Sequence, residues 1–248
     1  MAYHDPTRNE IIVRVVYDGL ATAGKTTNLR ALHACFADRA SREVYVPAEK
    51  AGRTLYFDWL ELMTGHVDDW PLRCQLLTVP GQFAYAERRY RILSDVDAIV
   101  AVCDSSPAGV RAARIAWTFL REVLASTQRA DVPIVVQANK QDLPGALPLD
   151  ALRAELDIDD RIPIVAARAA SGDGVRPTFI AALDRARSRV RVRLREHGAA
   201  GLPPCTESAE ELYALMLADT EAPPAEAARA VEAALRELSR SEDADETK

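Results

Sequence analysis

At 248 residues, with 48% hydrophobic and 27% charged side chains, the chain has ordinary soluble composition and enough length for one sizeable core plus an appendage. Its apolar runs fall far short of the roughly 20 residues needed to span a bilayer, the stretch from Val96 to Cys103 being broken by Asp97. The net charge of −6 is uneven: residues 205–248 hold 12 acidic and 4 basic side chains, so residues 1–204 carry +2 and a nucleic-acid or membrane-surface role is not favoured for them.

The first strong element is a β-branched run over 11–17, predicted as a buried strand, followed by Gly19-Leu20-Ala21-Thr22-Ala23-Gly24-Lys25-Thr26 and a helical pattern carrying Leu29, Leu32, Ala34 and Phe36. The segment fits the phosphate-loop pattern G-x-x-x-x-G-K-S/T without mismatch, in the strand, loop, helix order that the motif requires. Gly19 and Gly24 let backbone N–H groups from Ala21, Thr22, Ala23 and their neighbours curl around phosphates, and the helix N-terminus at Thr26 and Thr27 adds partial positive charge. Lys25 is placed to bridge the outer phosphates, and the Thr26 hydroxyl to ligate Mg²⁺.

Strand-like runs at 43–46, 55–62 and 72–79 come next, with 55–62 and 72–77 expected to form one antiparallel hairpin around a turn at Gly65 to Asp69. At the end of the second hairpin strand stands Thr78-Val79-Pro80-Gly81-Gln82. A D-x-x-G-Q segment is usual here in GTP hydrolases, its aspartate holding Mg²⁺ through water, its glycine N–H on the γ-phosphate and its glutamine orienting the attacking water. Gly81 and Gln82 retain those roles, whereas Thr78 has no charge. Asp58, on the neighbouring strand, is either its substitute behind the metal or a solvent-facing strand carboxylate.

Helical patterns near 84–93, 108–128, 148–156 and 175–196 then alternate with strands at 96–103, 132–138 and 162–166. The fold class is α/β: a doubly wound phosphate-loop NTPase fold of the small-GTPase type, mostly parallel with one antiparallel hairpin strand and helices on both faces. Directly after the strand 132–138, Asn139-Lys140-Gln141-Asp142 matches N-K-x-D. Asp142 can accept from the guanine ring N–H and exocyclic amine, Lys140 covers the base with its stem and Asn139 braces the loop. Adenine would set a ring acceptor against the carboxylate, a mismatch worth roughly 10⁴-fold or more. Arg168-Ala169-Ala170-Ser171-Gly172-Asp173-Gly174-Val175 resembles the S-A-K-x-G-x-G-V loop of small GTPases; with Arg168 and Ala170 replacing Ser and Lys, only the backbone contact of Ala169 to the base is carried over.

The helical pattern stops at Gly198 to Pro204, so the expected organisation is a domain over 1–197, a Gly/Pro linker over 198–204 and an acidic helical extension over 205–248. Ser208 with Glu211 is a capping box for a helix with Leu212, Leu215 and Met216; after Pro223-Pro224, Val231, Ala234, Leu235 and Leu238 mark a second. Arg185, Arg187, Arg189, Arg191, Arg193 and Arg195 scatter over two sides of the preceding helix, either as a solvated face or as the docking place of the acidic tail. The chain start lacks a signal-peptide pattern and a myristoylation glycine, and its end lacks a prenylatable cysteine, so no lipid anchor is expected. Cys35, Cys74, Cys103 and Cys205 read as reduced core residues of a cytoplasmic protein.

Together, the phosphate loop with Thr27-Asn28-Leu29, Gly52-Arg53-Thr54-Leu55-Tyr56-Phe57-Asp58, Thr78 to Gln82 and Asn139 to Asp142 resemble the MglA family of bacterial gliding-motility and polarity GTPases over residues 8–197. The resemblance implies a monomeric GTP/GDP switch that hydrolyses GTP with Mg²⁺. It implies that Thr54 closes on Mg²⁺ and the γ-phosphate, that Arg53 is a built-in arginine finger beside Gln82, and that the hairpin strand slides between states. It also implies stimulation by a roadblock-fold, MglB-like GTPase-activating partner and selection of state-specific effectors. Two other readings are a guanine-nucleotide scaffold that barely hydrolyses, and an ATP-using kinase or ATPase.

Overall fold

The computed structural model describes residues 2–41, 43–47, 49–50, 53–54, 57–79, 81, 86–204 and 208–218, and the side chains of all of these except 49–50, 53–54, 86–87 and 217–218. Its frame is a seven-stranded sheet. β1 (Tyr3–Asp5) pairs antiparallel with β2 (Glu10–Asp18), through a turn in which the Asp5 carboxylate accepts from the backbone N–H groups of Thr7 and Arg8. α1 (Lys25–Cys35) follows, then a two-stranded ribbon of β3 (Glu49–Lys50) and β4 (Arg53–Thr54). The hairpin is β5 (Trp59–Val67) and β6 (Trp70–Thr78); beyond it come α2 (Ala86–Leu93), β7 (Ala98–Asp104), α3 (Val110–Ser126), β8 (Ile134–Asn139), α4 (Leu149–Glu155), β9 (Ile164–Ala166) and α5 (Val175–His197).

The spatial order is β5-β6-β2-β7-β8-β9, with β6, β2, β7, β8 and β9 mutually parallel. Parallel neighbours need crossovers, and α1, α3 and α4 among others supply them, so both faces of the sheet are covered. This is why β2, β7 and β8 are nearly continuous apolar runs instead of alternating ones. On one face Val16, Leu77 and Ile99 pack with Ile92 and Leu93 of α2 and Ile115, Phe119 and Leu120 of α3; on the other Val15, Tyr17 and Val100 meet Leu29 and Leu32 of α1 and Phe179, Leu183 and Val190 of α5. Loops at the carboxyl ends of the central strands therefore face one common edge, the place where ligands sit in such sheets.

Five expectations are corrected. The sheet holds two antiparallel pairings, β1 with β2 besides the hairpin, because Asn9 takes a left-handed turn position (φ 54°) that folds the N-terminal residues back. The run at 43–46 is no strand: only Tyr45 pairs, exchanging backbone hydrogen bonds of 2.8 and 2.9 Å with Trp59. β5 begins at Trp59 and continues to Val67, beyond the predicted 55–62; Leu55 and Tyr56 lie outside the described residues. Gly65 (φ 92°) is a bulge inside β5 at the register shift between Met63 and His66, so the turn is only Asp68 and Asp69. Cys35, expected in the core, is exposed, whereas Cys74 and Cys103 are buried.

α5 ends at Gly198 (φ 64°), and the chain returns beneath β1, where Pro203 accepts from the His4 N–H. The capping box forms: the Glu211 carboxylate accepts from the Ser208 N–H at 2.7 Å and the Ser208 hydroxyl from the Glu211 N–H at 3.2 Å, opening α6 (Ala209–Ala218). Its buried Ala209, Leu212 and Met216 join the apolar cluster on the α2 and α3 face, away from α5. Arg187 meanwhile donates to the Thr64 carbonyl, Arg189 pairs with Asp131 and Arg191 with Asp68. Among the described residues these arginines engage the main body and not the tail; the second predicted tail helix lies outside them. No described helix is long and apolar enough to cross a membrane.

Candidate nucleotide-binding site

Three loops meet at the carboxyl edge: the phosphate loop after β2, Asn139 to Asp142 after β8, and Arg168 to Gly174 after β9. Gly19 (φ 146°) and Gly24 (φ 104°) hold the first of these in a conformation that L side chains resist. A Cβ at Gly19 would lie 2.5 Å from the Val102 carbonyl, and one at Gly24 would collide with the Asn139 amide. Thr22, with φ 66°, carries the remaining left-handed turn.

Asn139 joins the three loops. Its Nδ2 donates to the Ala23 carbonyl at 2.8 Å and its Oδ1 accepts from the Ala169 N–H at 2.9 Å, with Asn139 itself 2% exposed. Beneath it, Asn28 and Gln137 exchange two amide hydrogen bonds of 2.8 and 2.9 Å, and Gln137 also donates to Thr178, tying α1, β8 and α5 together. Lys140 sits in a left-handed conformation (φ 63°), and its Nζ pairs with Asp104 at 2.6 Å. Burial pushes the Asp104 carboxyl up, but hydrogen bonds from Lys140 and Ser106 outweigh it and hold the group below its ordinary value. Asp142 is exposed, as are Arg168 and Ala170, whereas Ala169 is buried. Sequence reasoning missed Asp104; its position at the end of a buried strand on the ligand edge was the available signal.

Lys25 is buried and donates to the carbonyls of Gly19 (2.8 Å) and Leu20 (2.9 Å). Burial draws its pKa from 10.5 down to about 8, against the opposing pull of Asp18 and Asp58. A lysine depressed in this way loses its proton in the folded protein between about pH 8 and 10.5 while the unfolded chain keeps it, so this group makes the unliganded fold relatively more stable as pH rises through that window. Phosphate binding requires the ammonium and runs the other way. Nucleotide affinity is expected to fall above about pH 8 by up to roughly tenfold per pH unit, measured with a fluorescent GDP analogue from pH 7 to 9.5; a flat profile would exclude Lys25 as the phosphate ligand.

The neighbourhood of Thr26 removes one of the two alternatives left open for Asp58. Asp58 is fully buried, not solvent-facing. Its Oδ2 accepts from the Thr26 hydroxyl at 2.5 Å and from the Thr78 hydroxyl at 2.9 Å, while its own N–H donates to Thr78 Oγ1 at 2.9 Å. The residue preceding β5 thus brings a buried carboxylate beside Thr26, and Thr78, at the end of β6, hydrogen-bonds it. Gly81 lies against the phosphate loop, its carbonyl accepting from the Ala21 N–H at 3.1 Å, and a Cβ there would strike the Leu20–Ala21 backbone. Thr27 is exposed on the first turn of α1. Arg53 and Thr54 form the short β4, with side chains outside the described set, and Gln82 lies outside the described residues altogether.

Residues 73–184 match the ADP-ribosylation factor (Arf) family. Over 182 residues the chain is 35% identical to the "Mutual gliding-motility protein MglA" of Myxococcus xanthus (strain DK1622), a match covering 72% of this chain and 92% of that protein. A match of 182 residues is far longer than any single motif. The chain belongs to the MglA family of Ras-like small GTPases, switches that bind GTP and hydrolyse it to GDP.

Proposed function

We propose that this GTPase works with Mg²⁺ held by the hydroxyls of Thr26 and Thr54, with Gln82 orienting the attacking water and Arg53 neutralising charge on the transferred phosphoryl group. The observation that carries the proposal is the buried Asp58 carboxylate accepting from both Thr26 and Thr78. A hydroxyl that donates to a carboxylate presents an electron-rich oxygen to a cation, so the donor set suits a hard divalent ion. Mg²⁺, when bound, would neutralise charge on the β- and γ-phosphate oxygens. The rest of the chemistry belongs to the chain: Lys25 and the amides of Ala21 to Thr27 hold the phosphates, Gly81 senses the γ-phosphate, and Asn139, Lys140, Asp142 and the Arg168 to Ala170 loop hold the guanine.

Residues 1–197 form the switch domain, 198–204 its linker and 205–248 an extension. The protein acts as a cytoplasmic monomer in cell polarity or motility; its Myxococcus relative, a gliding-motility protein by name, supports the motility role. A roadblock-fold activating partner accelerates its slow turnover, and effectors read its state. Gln82→Leu and Arg53→Ala are expected to keep nucleotide affinity while slowing single-turnover GTP hydrolysis, by up to roughly 10³-fold for the arginine. Normal turnover in both variants would overturn the catalytic assignment. Pull-downs with GDP-loaded against GTP-analogue-loaded protein test the partners, and equal recovery from both forms would remove the switching role.

A further inference from the structure

The ion pair at the start of the Asn139 to Asp142 loop has an acidic member that belongs to no motif. Asp104 closes β7 in register with Asn139 of β8, which brings its carboxylate beside Lys140. Oδ2 takes the Lys140 Nζ at 2.6 Å, and Oδ1 accepts from the Ser106 N–H at 3.0 Å. The Asp104 and Lys140 side chains are only 14% and 29% exposed, so their attraction is screened less than that of a surface pair. Gly109, the residue before α3, makes room for the carboxylate: a Cβ there would lie 2.2 Å from the Asp104 Cγ and 2.6 Å from its Oδ1.

The turn that follows Asp104 is tied to the same loop. The Ser105 N–H donates to the Asn139 carbonyl at 3.0 Å, the Ser105 carbonyl accepts from the Leu147 N–H at 2.8 Å, and the Gln141 side chain donates to the Leu147 carbonyl at 3.0 Å. The carboxylate therefore has a fixed place relative to the loop. A lysine alone does not, because its ammonium rides on a flexible four-carbon stem. The left-handed backbone of Lys140 (φ 63°) sets where that stem begins, and Asp104 sets where it ends. With both ends held, the methylenes between them form an apolar wall of set position instead of a swinging chain.

We infer that Asp104 is a positioning residue of the guanine site: by holding the Lys140 ammonium it presets the stem on which the base lies. The inference rests on the reading of Lys140 as the residue that covers the base. Asp104 acts through Lys140 and not on the base, its two oxygens being engaged by Lys140 and Ser106. A side chain ordered before the ligand arrives does not have to be ordered by it, which is worth roughly 3- to 10-fold in affinity. The gain belongs to the dissociation rate, since mutants of one binding site differ mostly there.

The test is a double-mutant cycle in the full chain. Asp104→Asn keeps the volume but not the charge, Lys140→Met keeps the stem but not the ammonium, and the third variant carries both changes. Affinity and dissociation rate are measured with a fluorescent GDP analogue. Each single variant is expected to bind roughly 3- to 10-fold more weakly through faster release, and the double variant no more weakly than either single one. Parental affinity in Asp104→Asn overturns the inference. So does an Asp104→Asn loss that is as large in the Lys140→Met background as in the parent, because Asp104 would then act by supporting the Ser106 turn and not through Lys140. Should Asp104→Asn fail to fold, Lys140→Met decides alone: weaker binding supports the inference and parental affinity overturns it. Lys140→Ala, which removes the stem, separates this failure from that of the underlying reading. Parental GDP affinity in Lys140→Ala removes the base-covering role and the inference with it; a weakened Lys140→Ala beside a parental Asp104→Asn removes the role of Asp104 alone.

Discussion

Lys25→Ala is expected to abolish guanine-nucleotide binding at working concentrations while leaving the chain folded. Truncating one partner of a buried charge contact costs about 2–5 kcal/mol, or roughly 30- to several-thousand-fold in affinity. The contrast with stability is what makes the variant informative. Lys25 is buried with its ammonium on two backbone carbonyls, and burial, against the opposing pull of Asp18 and Asp58, lowers its pKa to about 8, so the unliganded fold carries a cost for keeping that charge at neutral pH. Removing it is therefore expected to shift the melting temperature of the unliganded protein by only a few degrees. Ligand linkage supplies the readout: GTP at 100 times its Kd adds about 2.7 kcal/mol of stability to a binding-competent fold. The parent should show that gain in a thermal melt and Lys25→Ala should show none. A variant that still gains stability from GTP would move the phosphate contact elsewhere.

What could be read from the chain depended on whether the signal was local. The phosphate loop and Asn139 to Asp142 are contiguous, and the buried runs of β2, β7 and β8 leave little choice but a parallel sheet with helices on both faces. The capping box at Ser208 was equally legible, because its two hydrogen bonds close over three residues. Elements held from a distance were not. β1 is too short to announce itself, and it exists because β2 offers it an edge and Pro203 a further carbonyl. Residues 43–46 look like a strand by propensity, yet only Tyr45 reaches a partner in Trp59. Asp58 shows the same limit within the site. In its local pattern it is one acidic residue among apolar ones, and only the hydrogen bond with Thr78 across the hairpin, and the approach of Thr26 from α1, bring it beside the phosphate-loop hydroxyl. Asp104 and Lys140 are 36 residues apart, and nothing in either local pattern pairs them.

The Asp58 carboxylate carries the second large expected effect. Asp58→Asn keeps the volume and one carbonyl-type oxygen for the Thr26 and Thr78 hydroxyls, but removes the charge and places an amide donor in a fully buried site. Changes to groups that orient a metal's direct ligands typically cost 10–100-fold in metal affinity or activity. The Mg²⁺ concentration giving half-maximal GTP hydrolysis is therefore expected to rise by about 10–100-fold, while GDP binding in excess chelator stays near the parental value. The distribution of the charge between strands gives a sharper version of the same experiment. Thr78→Asp alone would crowd two carboxylates into one buried pocket, where both cannot remain charged at little cost, and should weaken the fold. The exchange Asp58→Thr/Thr78→Asp keeps one carboxylate and one hydroxyl but returns the charge to β6, the position usual in GTP hydrolases. Recovery of the Mg²⁺ response in the exchanged protein, but not in Asp58→Asn, would mean that the site requires one buried carboxylate behind Thr26 and accepts it from either strand. An unaltered Mg²⁺ titration in Asp58→Asn would instead reduce Asp58 to a structural hydrogen-bond acceptor between two threonines.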